Sequence, residues 1–188
     1  MPMLKLLIVG PKEAGKTTIA NFLAEQTDRL AGQDRYQPTM GVRILEMEKN
    51  KTSIELWDIS GDQVYEACWP AVLKDSNGVI LVYNPESHVH ESEAMLWYVI
   101  CSSVSMTRPH TDAAWGLRKN PGLDPAQCLV FEHSSGNAKK AAASKLRLPS
   151  TIRVVPTTYD SLNVFKTEFD KFLFGVQEFA SRQPRNRK

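Results

Sequence analysis

The sequence has few cysteines and no long apolar run, and both scarcities restrict what the protein can be. Its 188 residues include three cysteines, Cys68, Cys101 and Cys128, which are widely spaced and form no C-x-x-C pair. Such spacing predicts reduced thiols in a cytosolic protein. No apolar run approaches the roughly 20 residues that a membrane-spanning helix needs, and no apolar signal core follows the first residue.

Strong net charge is also lacking, since the formal net charge is only +2 and the apolar share is 42%. This balance gives no reason to expect a nucleic-acid partner. The length suits a single globular domain over residues 1–182, with a short basic tail at 183–188. No cysteine lies near the C-terminus, so we expect no prenyl anchor.

Short apolar runs alternate with helical patterns along most of the chain. This alternation predicts an α/β fold with a mainly parallel six-stranded sheet, helices on both faces and one antiparallel hairpin. Residues 105–126 are predicted to form a long loop. The predicted strands lie at 4–9, 42–48, 52–58, 78–84, 128–133 and 151–157, and the predicted helices at 16–26, 91–104 and 161–182.

The segment "GPKEAGKT", residues 10–17, matches the pattern G-x-x-x-x-G-K-[ST]. It follows an apolar strand and begins a helix, so its backbone N–H groups, those of Lys12, Glu13, Ala14 and Gly15 among them, are predicted to surround phosphate oxygens. Lys16 supplies a positive charge, and Thr17 offers a hydroxyl to Mg²⁺. The segment predicts a site for a nucleoside diphosphate or triphosphate with Mg²⁺.

A second candidate segment is "IELWDISGDQ", residues 54–63, which holds two aspartates. Asp58 ends an apolar strand, the place from which a carboxylate reaches the Mg²⁺ shell of a phosphate site. Asp62 follows a Ser-Gly bend. An aspartate at the end of a strand is often only a turn residue, but the phosphate motif upstream favours the metal-associated role for Asp58.

With "GPKEAGKT", "YQPTMG" and "WDISGD" in this order, the chain resembles Ras-superfamily small GTPases of the Rab-like kind. The resemblance implies the P-loop small-GTPase fold, with GTP or GDP and Mg²⁺ as ligands. It also implies that Thr39 touches Mg²⁺ and the γ-phosphate and that the N–H of Gly61 meets the γ-phosphate. Further nucleotide contacts are implied for Thr18, Tyr36 and Pro38.

Two departures from the family pattern predict slow hydrolysis. Asp62 stands where the family has a water-orienting glutamine, and an ionised aspartate cannot donate a hydrogen bond. Gln63 could replace that glutamine only if the loop shifted by one residue. Lys12 occupies a position where active members tolerate only glycine. We take these as two independent changes that weaken catalysis.

The sequence lacks N-K-x-D, the family motif whose aspartate recognises guanine. The fifth strand runs into "SSGNAKK" instead, and "PTTYD" stands in for the family's S-A-K segment. Guanine preference is therefore implied by the resemblance alone. His133 and Ser134 are candidate base neighbours, as are Thr157, Thr158 and Tyr159, but they could equally be ordinary loop residues.

The chain lacks both N-K-x-D and a cysteine near its C-terminus. In this it resembles the atypical Rab-like branch that serves intraflagellar transport. This resemblance implies an interaction subunit of the intraflagellar transport B complex. Such a subunit would dock on coiled-coil partners in the cytoplasm and in the cilium or flagellum, and would be monomeric on its own. Val64, Tyr65, Trp69 and Pro70 suit a partner interface, although packing against a neighbouring helix explains Trp69 equally well.

Other functions remain as alternatives. The chain could be an active GTP hydrolase that needs an external activating protein. A small nucleotide kinase is a weaker alternative, because its arginines should cluster in a lid and here they are scattered. A nucleotide-free structural relic would have no physical need for all five of Gly15, Lys16, Thr17, Thr39 and Asp58.

Overall fold

The protein is described from a computed structural model that covers residues 3–28, 30, 37–103, 124–134 and 146–182. The strands are β1 Leu4–Val9, β2 Val42–Lys49, β3 Thr52–Ile59, β4 Gly78–Tyr83, β5 Cys128–Ser134 and β6 Arg153–Thr158. The helices are α1 Lys16–Leu23, α2 Trp69–Leu73, α3 His88–Ser103 and α4 Leu162–Arg182.

The six strands form one sheet in the order β2-β3-β1-β4-β5-β6. Only β2 and β3 pair antiparallel, through the turn at 50–51, where both residues have positive φ angles of 52° and 61°. The other four pairings are parallel. The predicted fold class is confirmed, and every predicted strand is present within one or two residues of its predicted ends.

Helices cover both faces of the sheet because its central strands are apolar on both sides. Side chains of α1 and α4, among them Ile19, Phe165 and Leu173, pack on one face. Those of α2 and α3, among them Trp69 and Trp97, pack on the other. No helix in the described part of the chain is long and apolar enough to cross a membrane.

The helical segment after β3 was not predicted. Gln63–Cys68 forms a 3-10 helix that runs directly into α2. Both pieces are too short for a clear apolar period. Trp69 is 2% exposed, and its ring lies 4.1 Å from that of Trp97. Of the two explanations for Trp69, packing is therefore correct, whereas Val64 is 75% exposed.

The region predicted to be a long loop, 105–126, lies mostly outside the described residues. Its last two residues belong to a 3-10 turn, Pro125–Gln127, that leads into β5.

The topology brings several sequence motifs to one edge of the sheet. Parallel strands end at the same edge, and ligands of open α/β sheets bind there. The loops after β1, β3, β5 and β6 all begin at this edge, because Ile8 pairs with Asp58 and Ser134 pairs with Thr158. The phosphate motif, the Asp58 segment and the candidate base residues are therefore neighbours in space.

Candidate nucleotide-binding site

A cavity of about 240 Å³ opens at this edge of the sheet. The residues that surround it come from the phosphate motif and the start of α1, and from the segments before β2, after β3 and after β6. The lining residues are Glu13, Ala14, Gly15, Lys16, Thr17, Thr18, Gln37, Thr39, Ser60, Gly61 and Tyr159.

Gly15 turns the chain from the phosphate loop into α1. Its φ of 88° lies in the left-handed region that favours glycine. A Cβ at this position would also lie 2.8 Å from Cδ2 of His133. Glycine is therefore required both by the turn and by the close approach of the histidine, and α1 begins with its N–H groups at the cavity.

Lys16 is the cation of the cavity and is only 6% exposed. Its ammonium donates to the carbonyl oxygens of Gly10, at 2.9 Å, and Pro11. Burial lowers the Lys16 pKa to about 8, although Asp58 partly offsets this by favouring the charged form. A bound phosphate would remove much of this desolvation cost by adding a negative partner.

Asp58, Thr17 and Thr39 converge on one point at the cavity. The Asp58 carboxylate accepts through Oδ2 from the hydroxyls of Thr17, at 2.8 Å, and Thr39, at 3.3 Å. The two hydroxyls lie 2.7 Å apart. Three oxygen side chains from three separate segments are thus assembled in the arrangement that was predicted for a metal site.

This oxygen cluster fits a magnesium ion. Asp58 is fully buried, and among the described residues its Oδ1 has no hydrogen-bond partner. Burial raises the Asp58 pKa, against the opposing effects of the Thr17 hydrogen bond and the Lys16 charge. A hard divalent cation coordinated by carboxylate and hydroxyl oxygens would satisfy the orphaned oxygen and favour the charged carboxylate.

The backbone after Asp58 lies directly against the phosphate loop. A Cβ on Gly61 would come within 2.5 Å of the Gly10 carbonyl oxygen and 2.6 Å of the Lys12 nitrogen. Only glycine allows this approach. It places the Gly61 backbone at the cavity, as the family resemblance implies.

Lys12 and Asp62 are not independent departures from the family pattern, and that expectation was wrong. The Lys12 ammonium and Asp62 Oδ2 form an ion pair of 2.8 Å between the two loops. Asp62 Oδ1 accepts from the N–H of Val64 at 3.1 Å and so caps the 3-10 helix. The ion pair and this cap hold the Asp62 pKa below its usual value. Gln63 is the exposed first residue of that helix and does not line the cavity.

The candidate base residues do not form a polar recognition surface. His133 is 3% exposed and packs edge-to-face on Tyr159, with ring centroids 4.7 Å apart. Ser134 donates to Glu86 at 2.6 Å. The N–H of Thr158 is already bonded to the Ser161 hydroxyl at 2.9 Å and is not free to meet a base.

Only part of the predicted set therefore lines the cavity. Tyr159 does so, whereas His133, Ser134, Thr157 and Thr158 do not. Lys12 and Pro38 are exposed and lie outside the lining, and Tyr36 falls outside the described residues. The lining residues that sequence reasoning missed are Gln37 and Ser60. Gln37 lies between the predicted residues Tyr36 and Pro38, and Ser60 precedes the predicted Gly61, so their position in the motifs was the available signal.

Comparison with known proteins identifies the family to which the chain belongs. The family model described as Ras of Complex, Roc, domain of DAPkinase matches residues 5–111. The intraflagellar transport protein 22 homolog of Danio rerio is 36% identical, over 94% of this chain and 91% of its own length. The Xenopus tropicalis homolog is 46% identical, over 92% and 89%. The chain belongs to the intraflagellar transport protein 22 family.

Solved structures of this family agree with the fold. The GTP-bound T. brucei IFT22/74/81 structure matches with a TM-score of 0.66 and 26% identity, over 97% of this chain and all of that one. The GTP-bound T. brucei IFT22 structure matches with a TM-score of 0.59 and 25% identity, over 95% and 99%. The predicted resemblance to an atypical Ras-like GTPase of intraflagellar transport is thereby confirmed.

Proposed function

We propose that this IFT22-family protein binds GTP or GDP with Mg²⁺ and hydrolyses GTP very slowly. In this proposal it is an interaction subunit of the intraflagellar transport B complex. The observation that carries the proposal is that Lys16, Thr17 and Thr39 line one cavity, with the buried Asp58 carboxylate hydrogen-bonded to both threonines directly behind it. The GTP-bound state of two T. brucei relatives supports guanine as the base.

The phosphate end of the cavity has the groups that a nucleotide needs. Lys16 contributes a buried ammonium, and the N-terminus of α1 contributes backbone N–H groups. Thr17, Thr39 and Asp58 would hold the Mg²⁺, which when bound neutralises phosphate charge. Ordering of residues 36–41 and 58–65 around the nucleotide would then build a surface for a partner.

Slow hydrolysis follows from the groups near the terminal phosphate position. The Asp62 carboxylate is ionised and has no proton to donate to a water, and its two oxygens are engaged by the Val64 N–H and by Lys12. The exposed amide of Gln63 lies outside the cavity lining. Neither of the two residues at the family's glutamine position thus places an amide in the cavity, while Lys16 supplies charge neutralisation for binding.

The partner is proposed from the relatives and from exposed apolar residues. The T. brucei protein was solved together with IFT74 and IFT81. In this chain Met40, Ile44 and Val64 are 82%, 49% and 75% exposed, and they lie on or next to the two segments that nucleotide would order. We assign coiled-coil subunits of the complex as the partner. In this proposal residues 1–182 of the present chain form a single G domain that is monomeric alone. The protein would be present in the cytoplasm and in the cilium or flagellum.

Identification of the nucleotide that co-purifies with the protein tests this proposal. The protein is denatured after purification, and the released nucleotide is separated by ion-exchange chromatography. We expect GTP or GDP at close to one equivalent when Mg²⁺ is kept in all buffers. Bound ATP would overturn the guanine assignment, and failure of GTP, GDP and ATP to bind in calorimetric titration would overturn the function.

A further inference from the structure

The ion pair between Lys12 and Asp62 joins the two walls of the cavity. Glu13, next to Lys12, lines one wall, and Gly61, next to Asp62, lines the other. The pair itself lies at the rim, with the two side chains 53% and 36% exposed. It therefore connects the phosphate loop to the segment 58–65 without occupying the space where phosphate would bind.

Hydrogen bonds within the segment 60–64 orient Asp62 for this contact. Its own N–H donates to the Ser60 hydroxyl at 3.2 Å, and Oδ1 accepts from the Val64 N–H at 3.1 Å. Oδ2 is then directed to Lys12, and this pairing helps keep the carboxyl ionised by lowering its pKa. The hydrogen bond that the carboxylate accepts from Val64, together with the one that the Asp62 backbone donates to Ser60, restricts the conformation of Asp62 and so reduces the entropy that an exposed ion pair usually loses.

Backbone contact reinforces the ion pair. Gly61 lies so close to Gly10 and Lys12 that no Cβ fits between the two loops. The contact and the ion pair involve only groups of the protein, and neither requires a terminal phosphate. A segment held only by an N–H bond to the γ-phosphate would instead be released when that phosphate is lost.

We infer that Lys12 and Asp62 act as one positioning unit, a clasp that holds the segment 58–65 against the phosphate loop whether the nucleotide ends in a β- or a γ-phosphate. This inference rests on the proposed nucleotide-binding function and deepens it. The clasp keeps Val64 at the same place in both nucleotide states. Partner docking through this segment is then only weakly sensitive to hydrolysis.

A double-mutant cycle read by amide hydrogen exchange tests the clasp. Lys12→Met removes the ammonium, and Asp62→Asn removes the charge while an asparagine keeps the helix cap. Exchange of residues 60–66 is measured with GDP, with a non-hydrolysable GTP analogue and without nucleotide. Glu66→Gln is the matched control, since it neutralises an exposed carboxylate in the same 3-10 helix.

In the unsubstituted protein we expect exchange of 60–66 to be similar with GDP and with the analogue. Each single variant should raise exchange in the GDP state about two- to five-fold, the size expected of an exposed ion pair, and the double variant should add little. Glu66→Gln should leave exchange unchanged. About 1 M salt should remove the difference between the unsubstituted protein and the variants.

Unchanged exchange in either single variant, or additive effects in the double variant, would overturn the clasp. So would a large difference between GDP and analogue in the unsubstituted protein. The measurement without nucleotide separates this failure from failure of the proposed function. If the protein binds no nucleotide but the cycle is non-additive in the apoprotein, the function is wrong and the ion pair still positions the segment.

Discussion

The two ends of the cavity differ in how completely the described residues form them. At the phosphate end Lys16, Thr17, Thr39 and Asp58 contact one another or the loop that surrounds the ligand. At the base end Tyr159 lines the cavity, while His133 is buried behind it. For the described residues we therefore propose that nucleotide binding relies mainly on phosphate and metal, and less on side-chain recognition of the base.

Of the substitutions considered, removal of the buried ammonium of Lys16 at the phosphate end should have the largest effect on GTP affinity. Lys16→Met keeps most of the apolar stem but removes the charge. Loss of one buried, charge-assisted contact costs about 2–5 kcal/mol, so GTP affinity should fall by roughly two orders of magnitude or more. Calorimetric titration measures this. The control variant Lys74→Ala, at an exposed lysine, should bind GTP as tightly as the unsubstituted protein. If Lys16→Met also bound GTP this tightly, the phosphate end would not be the main source of affinity.

Acid should lower the stability of the folded protein through His133, which lies at the base end. Burial lowers the His133 pKa to about 4, below the ordinary value of about 6.5. The unfolded state therefore takes up a proton first as the pH falls, and stability is lost between about pH 6.5 and 4. The loss should reach about 2 kcal/mol by pH 5 in the nucleotide-free protein.

Urea unfolding at pH 7.5 and pH 5 measures this loss. His133→Gln should remove most of the additional acid sensitivity, while His88→Gln, at an exposed histidine, should retain it. If His133→Gln and the unsubstituted protein lose the same stability on acidification, the buried histidine is not the cause.

Asp58→Asn should separate stability from metal dependence. Without Mg²⁺, the substitution removes a charge that is fully buried and disfavoured there, so the apoprotein should be as stable or more stable at pH 7. With Mg²⁺, GTP affinity should fall about 10- to 100-fold. Titrations with Mg²⁺ and with EDTA measure the difference. Asp28→Asn, at an exposed aspartate, is the control, and an unchanged response to Mg²⁺ in Asp58→Asn would contradict the metal assignment.

Local motifs allowed most of the phosphate end to be predicted from the sequence. The positions of Gly15, Lys16 and Thr17 follow from a strand, a glycine turn and a helix that are consecutive in the chain. Asp58 ends a strand that pairs directly with β1, so a parallel sheet places it beside the phosphate loop. Short sequence separation and strand register thus determine these contacts.

The rest of the site depends on contacts that no local pattern encodes. The pairing of Lys12 with Asp62 joins residues 50 positions apart through exposed side chains. The burial of His133 depends on Gly15, Tyr159 and Phe165, which come from three different segments. The partner of the Thr158 N–H is a serine hydroxyl in the turn before α4. Each arises only when the whole fold is assembled.

Single-turnover hydrolysis of GTP tests the central claim most directly, namely that the phosphate end binds nucleotide while catalysis is suppressed. The protein is loaded with GTP, Mg²⁺ is added, and conversion to GDP is followed by chromatography. We expect conversion at close to the rate of uncatalysed GTP hydrolysis in buffer. In the double variant Lys12→Gly/Asp62→Gln, which restores the family residues, we expect conversion at least about tenfold faster. Rapid conversion of GTP by the unsubstituted protein, with no activating protein added, would contradict the account.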